Sequence, residues 1–310
     1  MPKLVHVAVA VIKDSQGRVL VARRAQEAHM GGKLEFPGGK VEAGEIVQEA
    51  LQRELFEELG IQAGAMQPLI KINHHYTDKS VCLDVWQVWD FSGQAYGKEG
   101  QPIFWLPLDQ LNPVDFPDAN KAIITALQLP NRLMISPDLS DTGAMNEISH
   151  RLECHQVSAA ILRLPQLASG AYEAIAKQLI ERHPQVRWQI HGNIDLAMRL
   201  GAGLHLTSKA LLETKMAQLS TAGSLSASVH NLDELRQAES IGVDFVVLGP
   251  VQDTPTHPGV NTLGWEAFEK IVSEAHIPVY ALGGMQEKDL PLAVAAGAQG
   301  VAGISLFARP

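Results

Sequence analysis

The residues with the most chemistry in this sequence lie between Gly39 and Ile61. They form the run Gly39-x5-Glu45-x7-Arg53-Glu54-Leu55-x-Glu57-Glu58-x-Gly60-Ile61. On a helix at about 100° per residue, Glu58 falls about 40° to one side of Glu54 and Glu57 about 60° to the other. Leu51, Leu55 and Leu59 occupy the arc from about 60° to about 140°. Three carboxylates therefore crowd one strip beside the stripe that must be buried. Like charges at three- and four-residue spacing repel, and a solvated acidic face is cheaper on the far side, where Glu49 sits. Hard oxygen ligands at a core edge suit Mg2+, with Mn2+ as a substitute, and leave positions for phosphate oxygens and water. Arg53 is placed to brace this ring of charge through Glu49 and Glu57. An ordinary Glu-rich helix is the alternative for three glutamates alone. The whole pattern fixes about seven letters, which chance supplies on the order of once in 10⁷ positions or more rarely.

The elements that must position these side chains are legible around them. Val47, Leu51, Leu55 and Leu59 recur at four-residue steps, predicting an amphipathic helix over 45–59 that Gly60 ends. Residues 4–12 (LVHVAVAVI) and 18–22 (RVLVA) predict two strands around the turn Asp14-Ser15-Gln16-Gly17. A glycine-bearing loop fills 25–44, strand-like segments follow at 81–91 and 103–106, and a helix is expected at 118–128. After Leu129-Pro130-Asn131 the pattern changes to strand then helix, repeated. Apolar strands are expected at 133–136, 158–164, 186–190, 203–207, 224–229, 243–249, 278–282 and 300–304. Helices are expected at 166–182, 194–200, 208–218, 233–241, 265–275 and 286–296. Eight apolar strands with helices between most of them in about 180 residues predict a (β/α)8 TIM barrel, with an open doubly wound sheet as the alternative. The expected domains are 1–130 and 131–310.

Composition sets the outer bounds. A chain of 310 residues has room for two separate cores. Hydrophobic residues at 46% and charged residues at 19% argue against long disorder. With 25 basic and 34 acidic residues the net charge is −9, and neither half holds a basic block, so no nucleic-acid duplex is expected as a partner. Cys82 and Cys154 are too few for a disulfide framework or a cysteine zinc site. No apolar run approaches the ~18–20 residues that span a bilayer. His6 interrupts the first apolar run and Lys13-Asp14 follow it, so it reads as a strand rather than a signal segment. A cytoplasmic protein with no membrane partner is the expectation.

The run from Gly39 to Ile61 is a complete Nudix box. Further segments extend the likeness: Arg23-Arg24-Ala25 with His29-Met30, Lys33 to Lys40, Gly97-Lys98-Glu99-Gly100-Gln101-Pro102, and Asp115-Phe116-Pro117-x-Ala119-Asn120. Over residues 4–128 the chain resembles the MutT-type 8-oxo-dGTP diphosphatases of the Nudix family. The resemblance implies an α/β/α sandwich with a mixed sheet. It implies Mg2+-dependent hydrolysis of a nucleoside triphosphate, 8-oxo-dGTP, to 8-oxo-dGMP and pyrophosphate, a pool-sanitising step linked to DNA repair. It assigns Glu54, Glu57, Glu58, Glu99 and the carbonyl of Gly38 as metal ligands, with Glu54 or Glu99 activating water and Glu45 orienting the box. Arg24 and His29 become phosphate contacts, and Glu35, Phe36, Pro37 and Gly38 line the nucleotide cleft. Tyr76-Thr77 departs from the pattern and leaves the base-stacking wall open.

Asn120 has a chemical argument of its own. Oxidation at C8 turns guanine N7 from an acceptor into a donor beside the O6 acceptor. A side-chain amide offers one acceptor and one donor and pairs with both. Unoxidised guanine, with two adjacent acceptors, leaves a buried polar group mismatched.

The second half resembles the thiamine-phosphate synthase and thiazole tautomerase family over about 133–307. The matching segments are Ile194 to Ala197 with Gly201 to Leu206, Ser226 to His230, Val247 to Val251 with Thr254 and Thr256, Ala281 to Met285, and Gly300 to Ser305. Loops after the seventh and eighth strands of such barrels often bind phosphate, so Gly283, Gly284, Gly303 and Ser305 are candidate contacts for a thiazole phosphate. Synthases carry Asn-Asp-Arg after strand 3 and an acid after strand 4, which hold Mg2+ and pyrophosphate. Here those places read His191-Gly192-Asn193 and Thr207-Ser208-Lys209, and the lysine expected after strand 6 is His257. Synthesis is therefore not expected. Tautomerisation needs only a phosphate site and an acid–base group, for which His230 holds the family position. His191, His205, His230 and His257 all fall near that face. Two other readings stay open: a thiamine-pathway diphosphate hydrolase with a tautomerase barrel, and a barrel that only senses a ligand or supports assembly.

Overall fold

The structure is a computed structural model that describes residues 4–27, 30–75, 80–139, 143–213, 223–254 and 259–308. The chain divides into two compact units, residues 1–128 and 129–310.

The first unit is organised by β1 (Leu4–Ile12), whose side chains alternate between two cores. Ala8, Ala10 and Ile12 pack with the helix α1 described below, whereas Val9 and Val11 join a second cluster on the other face. Two further elements, β2 (Val19–Arg23) and β3 (Leu34–Glu35), lead to β4 (Gly38–Lys40), which pairs antiparallel with β1. Helix α1 (Val47–Leu59) buries Ala50, Leu51, Leu55 and Leu59, the stripe expected from the four-residue spacing. Gly60 ends it at φ 68°, donating its N–H back to Phe56 O (3.2 Å), while Ile61 N–H reaches Leu55 O (3.4 Å).

The chain continues through β5 (Gln62–Ala63), β6 (Met66–His75), β7 (Ser80–Val88), β8 (Phe91–Ser92) and β9 (Ile103–Leu106). The main sheet runs β4-β1-β7-β6. β1 and β7 are parallel and the outer pairings antiparallel, so the sheet is mixed. A 3₁₀ turn at Asp118–Asn120 opens onto α2 (Lys121–Gln128), whose Ile123, Ile124 and Leu127 cover the face opposite α1. The expected helix–sheet–helix sandwich is present. Strand β6 is absent from the sequence reading, because Pro68 breaks its pattern and a register shift lies between Pro68 and Ile70.

The second unit is a closed barrel of eight parallel strands in chain order, as expected. They are β10 (Arg132–Ile135), β11 (Ala159–Leu162), β12 (Arg187–His191), β13 (Gly203–Leu206), β14 (Leu225–Val229), β15 (Phe245–Leu248), β16 (Val279–Leu282) and β17 (Gly300–Gly303). The helices between them are α3 (Ala144–Cys154), α4 (Ser169–Arg182), α5 (Ile194–Leu200), α6 (Ser208–Glu213), α7 (Leu232–Ser240), α8 (Gly264–Val272) and α9 (Leu290–Ala295). Helix α3 is an addition to the expected set. The part of the expected 208–218 helix beyond residue 213 lies outside the described residues. No helix among the described residues is long and apolar enough to cross a membrane.

The barrel lumen is split in character. On β10, β11, β15, β16 and β17 it is lined by one apolar cluster that includes Leu133, Ile161, Phe245 and Tyr280. On β12 to β14 the side chains facing the helices are apolar, so the alternating inward positions fall to Gln189, His205 and Ser226, all buried. Buried polar groups are costly unless paired, and these are. Ser226 Oγ donates to Gln189 Oε1 (3.1 Å), His205 Nδ1 is hydrogen-bonded to Ser226 Oγ (2.8 Å), and His205 Nε2 to Ser228 Oγ (2.8 Å).

Candidate functional site

In the first unit the acidic strip of α1 faces the turn that carries β4. Glu54 presses its carboxylate against Gly39, where an added Cβ would lie 2.2 Å from Glu54 Cδ, so only glycine allows the approach. Arg53 organises the cluster. Its Nε and Nη2 donate to the two oxygens of Glu45 (3.0 Å each), Nη1 donates to Glu54 (2.8 Å), and Nη2 also reaches Lys40 O (3.0 Å). A longer contact joins Nη1 to Glu57 (3.4 Å). The brace expected through Glu49 is not made. Glu49 instead accepts the backbone N–H of Ile46 (3.1 Å) at the start of α1, half of a capping box.

Glu58 is half-buried and accepts the N–H of Gly38 (3.2 Å). Burial, followed by the charges of Glu35, Glu54 and Glu99, pushes its carboxyl up to about 7, against the pull of the Gly38 hydrogen bond. Four carboxylates thus feel one another at this point. Among the described residues no three of them are gathered around a common centre as a finished cation cage, because Glu54 is turned to Arg53 and Glu58 to Gly38. The donor set is nonetheless all hard oxygen and mutually repulsive, which a divalent cation relieves. It fits such an ion.

Several further expected residues lie on or beside β3 and the step into β4. Phe36 and Pro37 are buried, and Phe36 stacks on Phe116 with ring centres 5.2 Å apart. Lys33 Nζ donates to Phe116 O (2.9 Å), joining the loop before β3 to the segment leading to Asn120. Arg24 forms an ion pair with Glu35, whose carboxyl burial raises despite that guanidinium. Asn120 ends its 3₁₀ turn with 8% exposure, and its neighbour Ala119 packs in the same cluster as Phe36 and Phe116. Among the described residues the Asn120 side chain has no hydrogen-bond partner. Glu99 stands exposed on the loop after β8. His29 and Tyr76-Thr77 lie outside the described residues.

In the barrel, a cavity of about 410 Å³ opens at the carboxyl ends of the strands. Its wall includes His230, Gly283, Gly284, Gly303 and Ser305, with His191 and His205. Gly284 (φ 67°) could not carry a Cβ, which would fall 2.5 Å from Asp253 O on the preceding loop. His230 Nδ1 is held by Glu234 Oε2 (2.9 Å) from α7, leaving its other nitrogen free of that carboxylate. The triplet His191-Gly192-Asn193 is used locally: Asn193 caps α5 by accepting Leu196 N–H (3.0 Å). Thr207 likewise accepts Ala210 N–H (3.1 Å) at the start of α6. Asn193 and Thr207, which fall where the synthase pattern is expected to place its metal and pyrophosphate residues, thus serve as helix caps. Thr256 and His257 lie outside the described residues.

Sequence reasoning does not single out Arg163. It lines the cavity directly after β11, and among the described residues no carboxylate shares that wall. Its charge, after burial, helps push His191 down to about 4. A lone arginine after a strand carries too little pattern to be recognised in advance.

A family model described as NUDIX domain matches residues 8–126, and one described as Thiamine monophosphate synthase matches residues 134–307. The 8-oxo-dGTP diphosphatase of Escherichia coli K12 is 41% identical over 126 residues, covering 41% of this chain and 98% of that protein. The CTP pyrophosphohydrolase of the same organism is 34% identical over 120 residues, covering 37% and 88%. A thiamine-phosphate synthase of Thioalkalivibrio sulfidiphilus is 31% identical over 185 residues, 57% of this chain and 85% of that protein. The likenesses fall on the two units separately, each with the fold its residues build. The chain therefore belongs to the Nudix hydrolases through its first unit and to the thiamine monophosphate synthase family through its second.

Proposed function

We propose that the first unit hydrolyses 8-oxo-dGTP to 8-oxo-dGMP and pyrophosphate with Mg2+, serving nucleotide-pool sanitation and DNA repair. The observation that carries the choice of base is Asn120, a buried amide with no partner among the described residues, on a turn packed beside Phe36 and Phe116. Its Oδ1 accepts N7–H of the oxidised base and its Nδ2 donates to O6. Glu54, Glu57, Glu58 and Glu99, with the carbonyl of Gly38, would hold Mg2+, which when bound would polarise the triphosphate and make water more acidic. Glu54 or Glu99 accepts the proton of the attacking water. Arg53 keeps Glu54 aimed, Arg24 and His29 meet phosphate oxygens, and Glu35 to Gly38 line the cleft. Two free cysteines, one of them exposed, suit the reducing cytoplasm.

The barrel binds a phosphorylated thiazole, with its phosphate against the glycine turns at Gly283-Gly284 and Gly303 to Ser305 and with His230, oriented by Glu234, as the acid–base group. The capping roles of Asn193 and Thr207 support a barrel that does not make thiamine phosphate. Fusion to this family favours one second reading, hydrolysis of a thiamine-related diphosphate by the first unit. Turnover of 8-oxo-dGTP, dGTP, CTP and thiamine diphosphate by the full chain separates the two. Calorimetry with a thiazole phosphate tests the barrel: no heat of binding would leave it a sensing or assembly module for something else.

A further inference from the structure

The loop that carries Glu99 is the carboxyl-terminal cap of α1. Carbonyls in the last turn of a helix have no partner within it, and the segment from Tyr96 to Gln101 supplies them. Tyr96 N–H donates to Leu59 O (3.2 Å), Lys98 N–H to Glu58 O (2.9 Å) and Lys98 Nζ to Phe56 O (3.1 Å). Gln101 differs from these because it uses both ends of its amide. Its Nε2 donates to the carbonyl of Glu58 (3.0 Å), and its Oε1 accepts the backbone N–H of Glu99 (2.9 Å). One side chain therefore ties the backbone of a helix glutamate to that of a loop glutamate. Among the described residues the Glu99 carboxylate has no hydrogen-bond or ion-pair partner. Its placement rests on its backbone.

We infer that Gln101 is a positioning residue for the hydrolytic centre, holding Glu99 at a fixed separation from Glu58 so that both can serve one divalent ion. The inference rests on the Nudix reading of those two glutamates. A glutamine that only capped α1 would affect stability alone, and the test separates the cases. Gln101→Leu removes both hydrogen bonds. Gln101→Glu keeps the acceptor for Glu99 N–H but loses the donor to Glu58. Each is made in the full chain, alone and with Glu99→Gln. Mn2+ binding is followed by electron paramagnetic resonance, alongside Mg2+-supported nucleotide turnover and thermal unfolding.

Gln101→Leu is expected to weaken Mn2+ binding and lower kcat by about 10- to 100-fold, as loss of a partner behind a metal ligand does, with KM moved far less. Gln101→Glu should give a smaller loss of the same kind. With Glu99→Gln already present, Gln101→Leu should cost less than about threefold more, because both act through one group. A full loss persisting in the Glu99→Gln background overturns the inference. So does a lowered melting temperature with unchanged Mn2+ binding and kcat, or a wild-type chain that binds no Mn2+. Mn2+ binding that depends on Gln101, in a chain that hydrolyses no nucleoside triphosphate, would sink the substrate reading and uphold the role of Gln101.

Discussion

Replacing Asn120 by alanine tests how the base is read. The side chain is almost fully buried, yet among the described residues it takes no hydrogen bond from the protein. The turn it ends is held by its backbone, with Asn120 N–H donating to Pro117 O (2.9 Å). Truncation should therefore leave the fold nearly untouched, within about 0.5 kcal/mol in denaturant unfolding. Recognition is another matter. A bidentate amide–base pair is worth about 1–3 kcal/mol of discrimination, which corresponds to a fall of roughly 5- to 150-fold in the preference for 8-oxo-dGTP over dGTP. Asn120→Asp offers only acceptors. It keeps the partner for N7–H but faces O6 with a second acceptor; because O6 is common to both nucleotides, turnover of both should fall while the preference for 8-oxo-dGTP stays near that of wild type. The assay is competitive turnover of the two nucleotides by the full chain. An unchanged ratio in Asn120→Ala, with folding intact, would refute the assignment and move base reading elsewhere.

Three further outcomes follow from the geometry. Glu54→Gln should cut Mg2+-dependent hydrolysis by at least ~100-fold while leaving the unfolding midpoint in place; near-normal turnover would remove Glu54 from the chemistry. Arg53→Lys keeps the charge but cannot span Glu45 and Glu54 with one planar fork, so kcat should fall about 10- to 100-fold in steady-state assays; wild-type kcat would show that Glu54 needs no aiming. Burial, aided by Arg163, holds His191 near 4, and burial with His191 holds His205 near 3, both below the ordinary histidine range. The unfolded chain then binds more protons over that interval, so barrel stability is complete above about pH 6.5 and falls as pH drops toward 4, by on the order of 3 kcal/mol for His191 alone. Unfolding at stepped pH checks the sign, and His191→Asn should flatten the slope. A slope identical to wild type would show that His191 is not its source.

Local pattern carried some of these features and could not carry others. The four-residue spacing of Val47, Leu51, Leu55 and Leu59 defines α1 because one face of an isolated helix must be buried wherever it docks. Eight apolar strands with helices between them define the barrel for the same reason. Of the partners of Arg53, Glu57 was legible and Glu45 was not. Helical geometry offers Glu49 and Glu57, but Glu45 lies before the helix, and the path of that loop decides the pairing. Gln189, Ser226 and Ser228 were hidden differently. Polar residues at alternate strand positions ordinarily face water, and only closure of the barrel turns them inward. Strand β6 was obscured by Pro68, whose missing N–H is tolerated where the register shifts. The role of Gln101 needs two backbones from distant parts of the chain, so spacing could not announce it.

The central claim is that this chain selects an oxidised purine triphosphate and releases pyrophosphate from it. An equimolar mixture of 8-oxo-dGTP, dGTP, CTP and thiamine diphosphate, given to the full chain with Mg2+ in water labelled with heavy oxygen, tests that most directly. Mass spectrometry should find 8-oxo-dGMP formed first, with the label in pyrophosphate and none in the monophosphate, as water attack at the β-phosphorus requires. Earlier consumption of CTP or thiamine diphosphate, or label in the nucleoside monophosphate, would contradict the account.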